Sequence, residues 1–211
     1  MSRDYYKILL VAASGSGKTY SFRNMDPATT GFINVENKPL PFKNSFKYHK
    51  RINTYDEVLS TMAEYAKDPN IKCIVIDSFS AYVDLLLEHC RTAYKNFEIW
   101  SNYNSEITRF HKFLKKIEKE VFVTAHYETS DIEGSDEKRV KVKGNEWKHV
   151  VEKEYTIVLY LSKDLRDDKE EYFFITRGEG LSAKMPPDIV SERTLPNDSN
   201  EILNKIIEFI K

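Results

Sequence analysis

The sequence lacks the features that mark disulfide-bonded, secreted and membrane-spanning proteins. Its 211 residues include two cysteines, Cys73 and Cys90, each in an apolar segment. Such cysteines suit reduced thiols in a core and do not make a metal site. No apolar run approaches the roughly 18 residues that a membrane-spanning helix needs, and the first residues lack the apolar segment of a signal peptide. We therefore expect a protein of the cytoplasm.

The chain also lacks the net charge that attracts a polyanionic partner. Its 32 Lys and Arg residues nearly balance its 33 Asp and Glu residues, so any affinity for nucleic acid has to come from a local patch. With 41% hydrophobic and 31% charged residues, the composition is that of a folded globular protein rather than a disordered one. The length fits one α/β domain, and we expect residues 1–211 to form it.

One segment carries a recognisable chemistry, an apolar run that breaks into a loop of small residues. The run Ile8–Ala12 predicts a buried strand, and a helix is expected from Lys18 to about Asn24. The loop between them is typical of the phosphate-binding pattern G-x-x-x-x-G-K-[ST], with Ala12 where the pattern has its first glycine. Small residues let several backbone N–H groups approach triphosphate oxygens together, and a helix would add its positive end.

This loop predicts a site for ATP and Mg²⁺. Lys18 is placed to reach the β- and γ-phosphates, and the hydroxyl of Thr19 to bind the metal ion. The residues expected to contact the nucleotide are Ala13, Ser14, Gly15, Ser16, Gly17, Lys18, Thr19 and Tyr20.

A second element of such a site is a strand that ends in a carboxylate. Cys73–Asp77 is an apolar strand of this kind, and we expect Asp77 to share the metal ion with Thr19. Many ATPases carry a water-activating Glu directly after this Asp, but here the next residue is Ser78. The candidate general base is then Glu36, at the end of the strand predicted over 31–35, although a solvated loop carboxylate is the alternative.

Three further polar residues end strands or follow them. His126 comes after the strand Val121–Ala125 and could bond to the γ-phosphate, or could simply be satisfied at a strand end. Arg177 and Lys184 could approach a γ-phosphate from the same subunit or across an interface, with plain surface charge as the alternative.

Residues 127–149 form a polar segment that combines cations with an aromatic residue, and 133–136 suits a hairpin turn. Such groups can hold a single-stranded backbone and stack a base, but five acidic residues within 128–137 leave a solvated hairpin as an equal alternative. The candidate DNA-binding residues are Tyr127, Lys138, Arg139, Lys141 and Lys143, with the last three on one face of an alternating segment.

Predicted strands and helices alternate along most of the chain, which indicates an α/β fold with a mostly parallel sheet covered on both faces. Two late strands, over 155–161 and 171–176, look like antiparallel strands added at an edge and joined by a charged turn at 163–170. A last amphipathic helix is expected from Asp198 to about Ile210.

From Lys7 to about Lys184 the pattern resembles a RecA-type recombinase core. Phe32–Asn37 resembles the strand whose final Glu polarises the attacking water, and Val121–His126 resembles the strand that ends in the γ-phosphate sensor, usually Gln. The resemblance implies that the loop after His126 contacts DNA and that Arg177 and Lys184 act on a neighbour's ATP.

The chain is most similar to phage-encoded, single-domain RecA-like ATPases associated with single-strand-annealing recombination. This similarity implies ATP and Mg²⁺ as cofactors, single-stranded DNA as a partner, self-association into a ring or filament, and a single-strand-binding or annealing protein as a possible further partner.

Two other functions share the phosphate loop and stay open. A small-molecule or nucleotide kinase should carry an Arg-rich lid, for which 163–170 is short and acidic. A nucleotide-gated assembly or loader protein with slow hydrolysis would need no strong general base. A GTPase is rejected because Asn37-Lys38-Pro39-Leu40 lacks the Asp that guanine recognition needs.

Overall fold

The computed structural model describes residues 3–43, 45–132, 135–166 and 169–211. The strands are β1 (Lys7–Val11), β2 (Thr30–Asn34), β3 (Tyr48–Arg51), β4 (Cys73–Asp77), β5 (Glu120–Ala125), β6 (Tyr127–Ile132), β7 (Ser135–Val140), β8 (Ile157–Arg166), β9 (Lys169–Ile175) and β10 (Thr194–Pro196). The α-helices are α1 (Tyr55–Lys67), α2 (Phe79–Ala93), α3 (Phe97–Lys116) and α4 (Ser199–Phe209).

Eight strands form one sheet in the order β10-β9-β8-β1-β5-β4-β2-β3. The six strands from β8 to β3 in this order are parallel to their neighbours, whereas β9 and β10 add antiparallel at one edge. This arrangement confirms the α/β fold with a mostly parallel sheet and antiparallel edge strands. Because β1 lies between β5 and β8, the loop that follows it leaves the middle of the sheet.

Both faces of the sheet are buried, which explains why its central strands are apolar throughout. Helices α1, α2 and α3 cover one face, where Leu9, Ile74 and Val123 pack with Phe79 and Phe110. The other face carries α4 and a short 3₁₀ helix, and there Ile8, Val75 and Phe122 pack with Phe22 and Ile202.

The helix expected after the phosphate loop is wrong in kind. Residues Thr19–Phe22 form a single four-residue 3₁₀ helix, so no long helix points its positive end at the loop. Hydroxyl and amide side chains compete for backbone bonds here, and the Ser21 hydroxyl donates to the Lys18 carbonyl at 2.6 Å. The edge strands β3 and β10 were not predicted, because four and three residues with polar or proline content give little periodicity.

The two hairpins differ from their predictions in extent. Strands β6 and β7 pair antiparallel from Tyr127↔Val140 to Ile132↔Ser135, so the predicted hairpin occupies only the first part of 127–149. Of its expected turn, residues 133–134 lie outside the described residues. Most of the charged turn expected at 163–170 instead extends strands β8 and β9. Within the described residues, none of the helices has the length and apolar character to cross a membrane.

Candidate nucleotide site

The loop between β1 and the 3₁₀ helix has the backbone of a close-approach turn. Gly15 and Gly17 adopt φ values of 74° and 82°, a region that side chains disfavour, so glycine is required at both positions. A Cβ at Gly15 would meet open space, whereas one at Gly17 would lie 2.5 Å from the Asn197 amide and 2.8 Å from the Tyr172 ring. The loop is therefore open at Gly15 and packed against Asn197 and Tyr172 at Gly17.

Lys18 lies folded back over this loop. Its ammonium donates to the carbonyl oxygens of Ala12 at 3.1 Å and Ala13 at 2.9 Å, and lies 3.2 Å from Nδ1 of His126. Burial lowers the pKa of Lys18 to about 8, although the carboxylates of Asp77 and Glu36 act against this. A buried cation bonded only to neutral groups is well suited to receive an anion.

Thr19 and Asp77 meet as the sequence predicts. The Thr19 hydroxyl donates to Oδ2 of Asp77 at 2.8 Å, and Oδ1 accepts from the Thr124 hydroxyl at 2.5 Å. Asp77 is 3% exposed, and burial raises its pKa in spite of these bonds. A hydroxyl and a carboxylate are the oxygen ligands that Mg²⁺ prefers, and a nearby cation would relieve the buried charge.

This pair would bind a metal ion together with a substrate rather than as a cage. Within the ranges that the structure describes, no cluster of three or more His, Cys, Asp or Glu side chains could hold a metal ion. Mg²⁺ usually takes one or two protein oxygens and completes its shell with phosphates and water. The residues present therefore fit Mg²⁺ delivered with a triphosphate.

Glu36 stands beside this pair, just past the end of β2. Its Oε2 accepts from Lys38 at 2.9 Å, while Oε1 accepts from the Ser78 hydroxyl at 3.4 Å and lies 3.7 Å from Nε2 of His126. His126, and secondly Lys38, hold the pKa of Glu36 down to about 2. Glu36 is thus an ionised carboxylate at neutral pH, able to orient a water molecule but a weak proton acceptor.

His126 links three parts of the site. Because an ammonium can only donate, Nδ1 accepts from Lys18, and the neutral ring then presents Nε2–H towards Glu36. The His126 backbone N–H donates to the Ser80 hydroxyl at 2.8 Å, and its carbonyl accepts from the Lys141 N–H at 2.8 Å. The residue therefore ties the phosphate loop to the base of the β6–β7 hairpin.

The phosphate loop, with Lys18 and Thr19, lines a cavity of about 390 Å³. One group in its wall is Glu36 with Lys38 and His126, each of which contacts Glu36. Another is Tyr20 and Tyr172, whose ring centroids lie 6.3 Å apart. Sequence reasoning missed Lys38, Thr124 and Tyr172; only the position of Lys38, two residues after Glu36, offered a hint.

Arg177 and Lys184 lie elsewhere and do not line this cavity. The Arg177 guanidinium donates to the Val190 carbonyl at 2.6 Å. Lys184 exchanges two backbone hydrogen bonds with Val158, and burial lowers its pKa against the opposing charges of Glu152 and Glu154. The structure therefore brings neither cation to the phosphate loop of its own chain, and a role on a neighbour's ATP stays a prediction.

The five candidate DNA-binding residues do not share one face. Lys138 lies 5.0 Å above the Tyr127 ring, and Arg139 bonds to Glu137 and Ser182. Lys141 and Lys143 follow β7 and line a second cavity of about 290 Å³, together with Tyr127 and the phosphate-loop residues Ala13 and Ser14. Two of the cations thus face a groove that borders the nucleotide site, and Arg139 does not.

Comparison with known proteins identifies the family. The AAA domain family AAA_24 matches residues 4–186, which is most of the sequence. The chain belongs to this AAA domain family. The fold of this AAA domain is similar to that of a KaiC-like protein from the hyperthermophilic archaeon Pyrococcus horikoshii, with a TM-score of 0.50 and 14% identity over 81% of this chain and 77% of that one. No curated protein sequence matches it. The family match supports a P-loop ATPase, and the structural match confirms the α/β fold of RecA-like type. The closer resemblance to phage recombination ATPases stays a prediction.

Proposed function

We propose that this AAA domain is a Mg²⁺-dependent ATPase that acts on single-stranded DNA in recombination or annealing. Its sequence resembles phage-encoded RecA-like proteins that are associated with this process. The observation that carries the ATPase part is the 2.8 Å bond between Thr19 and Asp77, with Lys18, Glu36 and His126 around it. Hydroxyl, carboxylate, ammonium and an ionised water-orienting group are the parts that phosphoryl transfer needs.

The cavity sets the direction in which ATP would lie. The γ-phosphate belongs near Glu36 and His126, because a water-orienting carboxylate has to face the bond that breaks. The base then falls beside Tyr20 and Tyr172, whose rings offer stacking surface. Tyr172 is held in place by its hydroxyl, which donates to Glu170 at 2.6 Å.

Each residue has a defined task in hydrolysis. Lys18 turns from the carbonyls of Ala12 and Ala13 to the phosphate oxygens, which offer it charge-assisted bonds. Mg²⁺, held by Thr19 and Asp77, would supply charge neutralisation at the phosphates. Glu36 orients the attacking water, and the Nε2–H of His126, which faces Glu36 in this structure, turns to donate to the γ-phosphate.

The position of the hairpin supports the single-stranded DNA part. Lys141 donates its backbone N–H to the His126 carbonyl, so the residue expected next to the γ-phosphate is bonded to the segment that leads to Lys143. Lys141 and Lys143 have no ion-pair partner among the described residues, and Tyr127 supplies an aromatic surface in the same groove. Free cations beside an aromatic ring are what a single strand binds. Self-association, with Arg177 and Lys184 acting on a neighbour, belongs to the same proposal.

A slow nucleotide-gated loader is the second candidate, and the state of Glu36 favours it. This carboxylate already accepts from Lys38 and lies against His126, and its pKa of about 2 makes it a poor base. An enzyme with this arrangement would bind ATP well and hydrolyse it slowly until a partner moved Lys38 away.

ATPase rates measured with and without single-stranded DNA separate these candidates. We expect DNA to stimulate hydrolysis, and Glu36→Gln to lower it about a hundredfold while the protein still binds ATP. The matched control is Glu106→Gln on α3, which changes an exposed pair with Arg109. Absence of stimulation, together with absence of ATP-dependent DNA binding in low salt, would rule out the DNA part and leave the loader.

A further inference from the structure

The phosphate loop is held from behind by a segment close to the last helix. Residues 197–199, which lead from β10 into α4, form side-chain hydrogen bonds with residues 17–24. The family match ends at residue 186, so this segment lies outside the part of the chain that the AAA domain family describes. The four bonds are Asn197 to Gly17, Ser199 with Ser21, Arg23 to Asn197 and Asn24 to Asp198.

Asn197 makes the contact nearest to the phosphates. Its side-chain amide donates to the Gly17 carbonyl at 3.1 Å, and the residue is 4% exposed. The same amide occupies the space in which a Cβ at Gly17 would lie, beside the ring of Tyr172. The bond fixes the orientation of the Gly17 carbonyl, and with it the peptide plane that carries the Lys18 N–H.

Ser199 and α4 support the 3₁₀ helix that follows the phosphate loop. The Ser199 hydroxyl lies 2.7 Å from the Ser21 hydroxyl, which itself donates to the Lys18 carbonyl, and both serines are fully buried. Ile202 and Ile206 of α4 pack in the same core cluster as Phe22. A four-residue 3₁₀ helix is too short to hold the loop by its own hydrogen bonds, and α4 supplies the support from outside.

We propose that Asn197 is a positioning residue for nucleotide binding, and that the segment 197–209 and the bound triphosphate stabilise each other. The inference rests on the proposed ATP site. The phosphate loop binds a triphosphate only when its N–H groups point into the loop. The apparent affinity for the triphosphate therefore falls with the fraction of molecules in which the loop has this conformation. Coupling of this kind is reciprocal: ATP that fixes the loop also fixes the segment bonded to it.

The test compares variants of Asn197 in their affinity for ATP and for inorganic tripolyphosphate, both with Mg²⁺. Asn197→Ala and Asn197→Leu remove the donor, and leucine keeps the volume in case alanine prevents folding. We expect the Kd of both ligands to rise about three- to tenfold, the effect of one hydrogen bond, and KM to rise with little change in kcat. The matched control is Asn104→Ala on α3, because the side-chain oxygens of Asn104 and Asn197 are both buried without a hydrogen-bond partner among the described residues.

A role limited to folding would lower the melting temperature of the variants and leave Kd unchanged, and that result would overturn the inference. Hydrogen exchange in the unaltered protein gives an independent reading: we expect ATP to slow exchange at 197–202 as well as at 17–21. Protection confined to 17–21 would also overturn it. If the unaltered protein binds neither ATP nor tripolyphosphate, the proposed function fails and this inference with it; if the unaltered protein binds and the variants bind equally well, only the inference fails.

Discussion

The phosphate site and the β6–β7 hairpin are neighbours in the fold and contrast in construction. In the site, Asp77 is buried with both carboxylate oxygens bonded, and Lys18 is 6% exposed. The hairpin is a separate two-stranded sheet that carries charges of both signs. The large sheet fixes the geometry of the first region, whereas the second is joined to the rest of the protein by a few hydrogen bonds, among them those of Lys138, Val140 and Lys141. The difference shows that strand pairing sets the geometry of the site, whereas a few contacts around the hairpin set its position.

The largest effect is expected from a substitution in the phosphate site that leaves the hairpin unchanged. Lys18→Ala removes the ammonium that would meet the β- and γ-phosphates, and we expect ATP affinity to fall about a hundredfold, which corresponds to about 2.7 kcal/mol. Isothermal titration calorimetry with Mg²⁺ measures this loss. Lys163→Ala, in an exposed pair with Glu170 on the other hairpin, is the control with a matching charge change. Equal affinity in Lys18→Ala and the unaltered protein would contradict the assignment of the site.

The second prediction concerns the pH dependence of stability, through a buried histidine packed against the segment that follows the hairpin. His111 is buried under the segment after β7, where its ring stacks on Trp147 at 4.8 Å and lies 3.5 Å from the Tyr155 hydroxyl. Burial lowers the pKa of His111 to about 4. The unfolded chain therefore binds a proton between pH 6.5 and 4 that the folded protein does not, so stability falls as pH falls through this window. From pH 7 to 5 the loss is about 2 kcal/mol.

Denaturant unfolding at the two pH values measures this loss, with His111→Gln as the reference because glutamine does not titrate. The folded variant should lose about 2 kcal/mol less than the unaltered protein between pH 7 and 5. The same pH dependence in both proteins would show that other groups cause it.

A third prediction separates the base from the phosphates within the site. Tyr172→Ala removes an aromatic wall of the cavity, and we expect it to weaken ATP about tenfold and tripolyphosphate hardly at all. Competition binding with the two ligands measures the ratio. Tyr172→Phe keeps the ring and should keep the affinity for ATP. Equal losses for both ligands would place Tyr172 with the phosphate loop instead of the base.

The smallest effect concerns the hairpin side. Replacing Lys141 and Lys143 together by alanine should reduce the salt dependence of single-stranded DNA binding, with a slope of log K against log salt smaller by about 1.4. Arg139→Ala should change this slope less, because Arg139 already bonds to Glu137 and Ser182. Fluorescence anisotropy over a range of salt concentrations tests both variants. An unchanged slope in the double variant would show that these two lysines do not contact the DNA.

The parts of the site that could be predicted from sequence are those at the ends of apolar strands. Asp77 ends such a strand, Glu36 and His126 follow one, and parallel strands bring their carboxyl ends to one edge of the sheet. Lys38 and Thr124 could not be found in this way, because their contacts depend on side-chain direction and on the register of β4 against β5. The expected helix after Thr19 is a short 3₁₀ helix, and the side chains that support it, Ser199 and Asn197, lie too far along the chain for local patterns to reveal.

The sequence by itself determined the phosphate loop, the strands at whose ends the candidate residues lie, and the α/β class. These features depend on local patterns, on glycines that permit positive φ and on apolar runs that must be buried. Only the tertiary structure decided that Tyr172 and Asn197 close around Gly17, that Arg177 and Lys184 lie away from this chain's own site, and that the lysines after β7 share a groove with the phosphate loop. Such contacts join residues distant in the chain, and strand pairing rather than residue type brings them together.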